Sequence, residues 1–216
     1  MPLVLKRPIT YLVTSGRTTP QTTPSSSEFS SLLQLIKAAV DAEVSLVQLR
    51  EKTLTTRVFQ ELASRAVELT RGSGTRLLLN ERFDVALATR ADGVQLTSRS
   101  IPVEVVRRTV GEEFLIGVST HSLQEVLRAR DEGADFALFG PVFETVSKKE
   151  FGEPQGVEIL RHVTNESQGF PVIAIGGVDQ NNAGECLSVG AAGVAAISLF
   201  ADASGLRTIV ASINCS

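Results

Sequence analysis

The residues best suited to chemistry cluster just past short apolar runs. Phe139-Gly140-Pro141-Val142-Phe143-Glu144-Thr145-Val146-Ser147-Lys148-Lys149 ends one run in hydroxyls and ammonium groups, and Pro171-Val172-Ile173-Ala174-Ile175-Gly176-Gly177-Val178 ends another in a glycine pair. Glycines let backbone N–H groups come close to a phosphate, and hydroxyl and ammonium groups add donors. The two stretches therefore suit a phosphorylated substrate held at the C-terminal ends of parallel strands. Other runs end the same way. Gln48, Arg50 and Lys52 follow the second, Asn80, Glu81 and Arg82 the third, Ser119, Thr120 and His121 the fifth, and Ile197 and Ser198 the eighth.

Each of these has a plainer reading. Arg50-Glu51-Lys52 could be a solvated turn, and Gly176-Gly177 could serve a tight turn alone. Position favours the glycines, because the standard phosphate site of a barrel lies after strands seven and eight. His121 is one of two histidines. A strand end followed by a helix cap puts it at the mouth of a barrel, where an imidazole titrating near neutrality can take and give a proton. His162 falls within a helical pattern and reads as surface.

The elements that must position these groups alternate along the chain. Short apolar or β-branched runs span Ile9 to Thr14, Ser45 to Leu49, Arg76 to Leu79, Gly93 to Leu96, Phe114 to Val118, Ala134 to Phe139, Pro171 to Ile175 and Gly193 to Ile197. Between them lie helical patterns such as Glu28 to Glu43, Thr55 to Leu69, Ser122 to Glu132 and Asn181 to Val189. Near-continuous apolar strands alternating with amphipathic helices imply an α/β fold with a parallel sheet under helices. Eight such units at this length predict a single (β/α)8 TIM-barrel domain over residues 1–216. An open doubly wound sheet is the rival, but no G-x-G-x-x-G follows the first strand and no Walker loop is present. Ser122 with Glu125 has capping-box spacing, and Gly133 would stop that helix. Residues 14–27, rich in Thr, Ser and Pro, form a flexible loop at the active face, either a lid or a surface loop without a role.

Composition bounds the partners. The chain has 216 residues, 43% of them hydrophobic, enough for one large core, and a formal net charge of −3. Basic residues are scattered, so there is no footprint for nucleic acid or an anionic membrane, and a small soluble partner is expected. Cys186 and Cys215 fit neither a disulfide framework nor a metal-ligand spacing. No apolar segment has the length of a bilayer span, and the chain reads as cytoplasmic.

Seven ordered motifs carry a resemblance. Tyr11-Leu12-Val13-Thr14, Val47-Gln48-Leu49-Arg50-Glu51-Lys52, Leu79-Asn80-Glu81-Arg82, Ala91-Asp92-Gly93-Val94-Gln95-Leu96, Ser119-Thr120-His121-Ser122, Gly140 to Lys148 and Ala174 to Val178 follow one another as in the thiamine phosphate synthase/TenI superfamily, which the chain resembles over nearly its whole length. Two branches are in view. A synthase expels diphosphate from hydroxymethylpyrimidine diphosphate and captures the pyrimidine-methyl cation with a thiazole nitrogen, with magnesium neutralising the departing charge. Its metal pattern has two aspartates. Here Glu81 stands at the first position and Ser100 at the second, with Arg99 beside it, which removes an anionic ligand.

The TenI branch resembles thiazole tautomerase, which aromatises thiazole carboxylate phosphate by acid/base chemistry without a metal. Phe139-Gly140 with Val142 to Thr145, Lys148-Lys149 and Gly156-Val157 looks closer to it. The resemblance thus implies an isomerase first, with no cofactor. The alternative is a transferase, thiamine phosphate synthase, with Mg2+ at Glu81; a second alternative is a non-catalytic ligand-binding regulator. His121 would move the proton, and Lys148 with Arg50 would face the substrate carboxylate. Gln48, Arg50, Lys52, Asn80, Ser119, Thr145 and Ser147 would contact substrate, and Gly176, Gly177, Ile197 and Ser198 would hold the phosphate. The implied partner is a small phosphorylated thiazole, and the family implies a homodimer.

Overall fold

A computed structural model describes residues 8–145 and 153–215. The chain alternates β1(Ile9–Val13), α1(Ser27–Asp41), β2(Leu46–Leu49), α2(Thr56–Thr70), β3(Arg76–Asn80), α3(Phe83–Thr89), β4(Gly93–Leu96) and α4(Val103–Thr109). It continues as β5(Leu115–Thr120), α5(Leu123–Asp131), β6(Phe136–Phe139), α6(Gly156–Glu166), β7(Val172–Ile175), α7(Ala183–Ser188), β8(Gly193–Ala196) and α8(Leu206–Asn214). Neighbouring strands pair in parallel in chain order and β8 closes onto β1, which excludes the open sheet and establishes a single-domain (β/α)8 barrel. Every apolar run read from the sequence is a strand, with ends moved by two residues at most.

Alternation along each strand sorts the core into two layers. Ile9, Tyr11, Leu46, Leu78, Leu115, Phe136, Leu138, Ile173 and Ala195 point into the barrel and pack together. Tyr11 and Phe136 meet edge to face with ring centroids 5.8 Å apart. Their sequence neighbours Leu12, Val47, Leu77, Leu79, Ala137, Phe139, Ala174 and Val194 point outward and are covered by the helices. Carried one step further up the inward face, the same period reaches Gln48 after Leu46, Asn80 after Leu78 and Ser119 two residues beyond Gly117. Polar side chains at the mouth are thus direct continuations of the apolar interior.

Local signals set the boundaries. The Ser122 hydroxyl accepts a hydrogen bond from Glu125 N and caps α5, and Gly133, at φ +95°, turns the chain out of it. Helix α7 is shorter than the periodicity predicts, because Asp179 Oδ1 takes the N–H groups of Asn181 (2.7 Å) and Asn182 (3.2 Å) into a separate turn. Helix α1 begins at Ser27, so the loop after β1 covers 14–26. Among the described residues no helix is long and apolar enough to cross a membrane.

Candidate active site

The strand ends enclose a cavity of about 840 Å3. Gln48, Arg50, Lys52, Asn80, Glu81, Ser119, His121, Thr145, Gly176, Gly177, Ile197 and Ser198 all line it, so the topology brings together residues up to 150 positions apart. Ser147 and Lys148 lie outside the described residues. The sequence reading did not single out Arg17, Thr97 or Asp179, which also line the cavity. His162 is exposed on α6, away from it.

On one side of the mouth the polar side chains form a chain of hydrogen bonds. Gln48 Nε2 donates to Asn80 Oδ1 at 2.9 Å, and Asn80 Nδ2 donates to Glu81 Oε2 at 3.0 Å. The Thr97 hydroxyl (2.8 Å) and the Ser100 hydroxyl (3.2 Å) donate to the other carboxylate oxygen. Burial would raise the Glu81 pKa, but hydrogen bonds from Thr97 and Asn80, the charge of Lys52 and the Ser100 hydroxyl outweigh it and hold the carboxyl below its ordinary range. Glu81 also has φ +59°, a left-handed conformation that costs a non-glycine residue free energy and that clusters at functional sites.

The donor set also answers the question of magnesium. Among the described residues no group of three or more His, Cys, Asp and Glu side chains could hold a metal ion. Mg2+ is commonly bound through one or two carboxylates, with substrate phosphates and water completing its shell. Glu81 fits that one-carboxylate mode, with the Thr97 and Ser100 oxygens nearby. Ser100 adds a hydroxyl at Glu81 Oε1 and no second negative charge.

Four cations, Arg17, Arg50, Lys52 and Arg99, line the same cavity. Among the described residues none of them forms an ion pair, whereas Arg76, Arg82 and Arg107 are each paired with an aspartate elsewhere. Cations left unpaired around a concave site raise the local concentration of anionic ligands.

The opposite side is built from backbone. Gly176 (φ +99°) and Gly177 (φ +66°) adopt conformations that L side chains avoid. A Cβ on Gly177 would lie 2.4 Å from the Glu144 carbonyl, and one on Gly176 would lie 2.6 Å from Pro141 Cα. Both glycines are therefore needed for the tight packing of two loops as well as for an open lining. β3 and β7 are four strands apart in the closed order, as are β4 and β8. The Glu81 and Arg99 end and the Gly176-Gly177 and Ser198 end thus face each other across the mouth.

His121 lies between them. Its Nδ1 is hydrogen-bonded to the Gly140 carbonyl, which can only accept, so in the neutral ring Nδ1 carries the proton and Nε2 is the basic nitrogen. Glu125 Oε2 accepts from His121 N at 2.6 Å and fixes the backbone at the strand end. Beneath, Tyr11 Oη donates to Gln95 Oε1 and Gln95 Nε2 donates to Ser119 Oγ, a chain that links the barrel interior to a residue lining the cavity. Burial pushes the Cys186 thiol up to about 12, so it stays protonated, and Cys215 is exposed in the last turn of the chain.

Comparison with known proteins bears on this site. A family model described as thiamine monophosphate synthase matches residues 19–200. A putative thiamine-phosphate synthase of Geobacter sulfurreducens is 46% identical over 167 residues, 77% of this chain and 78% of that protein. A thiamine-phosphate synthase of Clostridium novyi is 38% identical over 168 residues, 78% of this chain and 82% of that protein. Among solved structures, thiamine phosphate pyrophosphorylase from Pyrococcus furiosus superposes with a TM-score of 0.75 at 32% identity, covering 95% of this chain and 96% of that one.

Proposed function

Because this chain belongs to the thiamine monophosphate synthase/TenI family, and so to thiamine biosynthesis as a synthase-type enzyme, we propose that it couples hydroxymethylpyrimidine diphosphate to thiazole phosphate and releases diphosphate. The names of its relatives favour this transferase over the isomerase that the sequence motifs put first. The relatives bear synthase names, and the observation that carries the reading is one cavity that joins four cations, Arg17, Arg50, Lys52 and Arg99, to a lining of Gly176, Gly177 and Ser198. A tautomerase acts on one substrate, whose single carboxylate is all that must be met opposite its phosphate. A synthase must hold a diphosphate and a separate monophosphate at once.

In this reading the methylene–oxygen bond of the pyrimidine substrate breaks with its electron pair leaving on diphosphate, and the thiazole nitrogen lone pair forms the new C–N bond. Arg50 and Lys52 receive the charge that develops on the departing oxygen, in a cavity where fixed charges act more strongly than in water. The amides of Gln48 and Asn80, each oriented by its neighbour, present donors and acceptors to the pyrimidine edge. Gly176, Gly177, Ile197 and Ser198 hold the thiazole phosphate and so fix the distance to the electrophilic carbon. Magnesium, held through Glu81, would neutralise diphosphate charge.

One observation favours the tautomerase as a second reading. His121 lines the cavity with its Nδ1 held by the Gly140 carbonyl, and the coupling reaction of a synthase has no proton to transfer there. The experiment incubates this protein with hydroxymethylpyrimidine diphosphate, unaromatised thiazole carboxylate phosphate and magnesium, with and without an authentic synthase. Thiamine phosphate from this protein alone supports the synthase. Product that requires the authentic enzyme, yet forms faster with this protein and loses that acceleration in His121→Gln, supports the tautomerase instead.

A further inference from the structure

We propose that Glu51 is a positioning residue whose buried carboxylate sets Arg17 at the mouth as a third cation of the diphosphate-receiving end, beside Arg50 and Lys52. Alternation past β2 turns Arg50 and Lys52 toward the cavity and Glu51 the other way. It is 5% exposed, beneath the loop that follows β1. Its Oε1 accepts from the Thr14 hydroxyl at 2.7 Å and from Gly16 N at 3.2 Å. Its Oε2 accepts from Thr18 N at 3.3 Å and from the Thr18 hydroxyl at 2.7 Å. All four partners donate, which suits the ionised, acceptor-only carboxylate, and among the described residues no cation is paired with it.

The residues on either side of Arg17 therefore hang on the two oxygens of one carboxylate. Two further bonds tie the same loops: Thr14 Oγ1 accepts from Arg50 N at 2.9 Å, and the Thr53 hydroxyl donates to the Thr18 carbonyl. With its backbone fixed in this way, Arg17 lines the cavity with an exposed guanidinium that has no ion pair among the described residues. Guanidinium groups bind phosphate oxygens two at a time, and holding the loop beforehand lowers the ordering cost of binding. The segment expected to be a flexible loop thus carries, at its start, a fixed binding element. The identity of the anion as diphosphate rests on the synthase reading; the staple itself does not.

The test is calorimetric titration of the full chain with inorganic pyrophosphate in the presence of a chelator, for wild type, Arg17→Ala, Glu51→Gln and the double variant. Arg17→Ala should weaken binding on the order of tenfold, the value of a charged hydrogen bond. Glu51→Gln puts an amide N–H against donors and should weaken binding comparably, with little further loss in the Arg17→Ala background. Thr18→Val, a milder cut of the same staple, should also weaken binding, and Thr18→Ser should restore it; this pair decides the matter if Glu51→Gln does not fold. Unchanged affinity in Arg17→Ala, absence of pyrophosphate binding by wild type, or a full additional loss from Glu51→Gln in the Arg17→Ala background would each overturn the proposal. If the binding pattern holds and no thiamine phosphate is made, the synthase reading fails and the staple stands.

Discussion

Gln48 Nε2 donates to Asn80 Oδ1 at 2.9 Å, so two amides from neighbouring strands are locked to each other inside the mouth. The bond fixes which end of each amide faces a ligand. Asn80→Ala would leave the Gln48 amide and one Glu81 oxygen without their partner. We expect kcat/KM to fall ~10–100-fold, the scale of losing one or two hydrogen bonds around a charged group, with the fold retained. Steady-state kinetics beside a thermal melt check this; unchanged kcat/KM would show that the amide pair has no part in substrate recognition.

The Ser100 hydroxyl lies 3.2 Å from Glu81 Oε1, so a carboxylate at position 100 would stand beside the one proposed to hold magnesium. Ser100→Asp should therefore tighten the magnesium requirement, lowering the concentration for half-maximal rate by about tenfold or more. A magnesium titration of the wild-type and variant rates reads this. An identical midpoint would mean that Ser100 does not limit metal binding.

Glu81 also makes a pH prediction with a definite sign. Burial raises its pKa, but the bonds from Thr97 and Asn80, the charge of Lys52 and the bond from Ser100 bring the folded value below the ordinary 4.5. A carboxyl with a depressed folded pKa contributes stability that is present above the unfolded pKa and lost as pH falls through the folded one. The Tm gap between wild type and Glu81→Gln should thus be widest near neutrality and close as the pH drops below 4.5. A gap constant across that range would contradict the assignment.

Gly177→Ala confronts both a φ of +66° and a contact of 2.4 Å with the Glu144 carbonyl. The substitution should cost ~1–3 kcal/mol of stability, the scale of a strained backbone conformation, and should raise KM for the thiazole phosphate more than for the pyrimidine diphosphate. Chemical denaturation with separate KM determinations distinguishes these. Equal effects on both KM values would remove the glycine pair from the monophosphate end.

The strands and most of the site were legible in the sequence because both follow a simple period. Inward positions of a barrel strand repeat every second residue, so Gln48, Asn80 and Ser119 could be placed at the mouth from Leu46, Leu78 and the strand ends alone. The seven-residue helices α3 and α4 are too short for a clear helical period. Glu51 escaped because charge in a triplet reads as solvation. Only alternation applied through Arg50-Glu51-Lys52 would have turned it away from the cavity, and its four loop donors come from 33 to 37 residues away. Arg17 lay in a Thr- and Ser-rich stretch with no pattern to orient it. That the cations after β1 and β2 and the glycine pair after β7 line one cavity is a relation that exists only once the barrel has closed.

The most direct measurement is single-enzyme turnover with hydroxymethylpyrimidine diphosphate, aromatic thiazole phosphate and magnesium, following thiamine phosphate and inorganic pyrophosphate together. The account predicts that both appear in equal amounts, that neither forms without both substrates, and that Arg50→Ala reduces both alike. No thiamine phosphate from this protein at any magnesium concentration, with both substrates recovered intact, would contradict it.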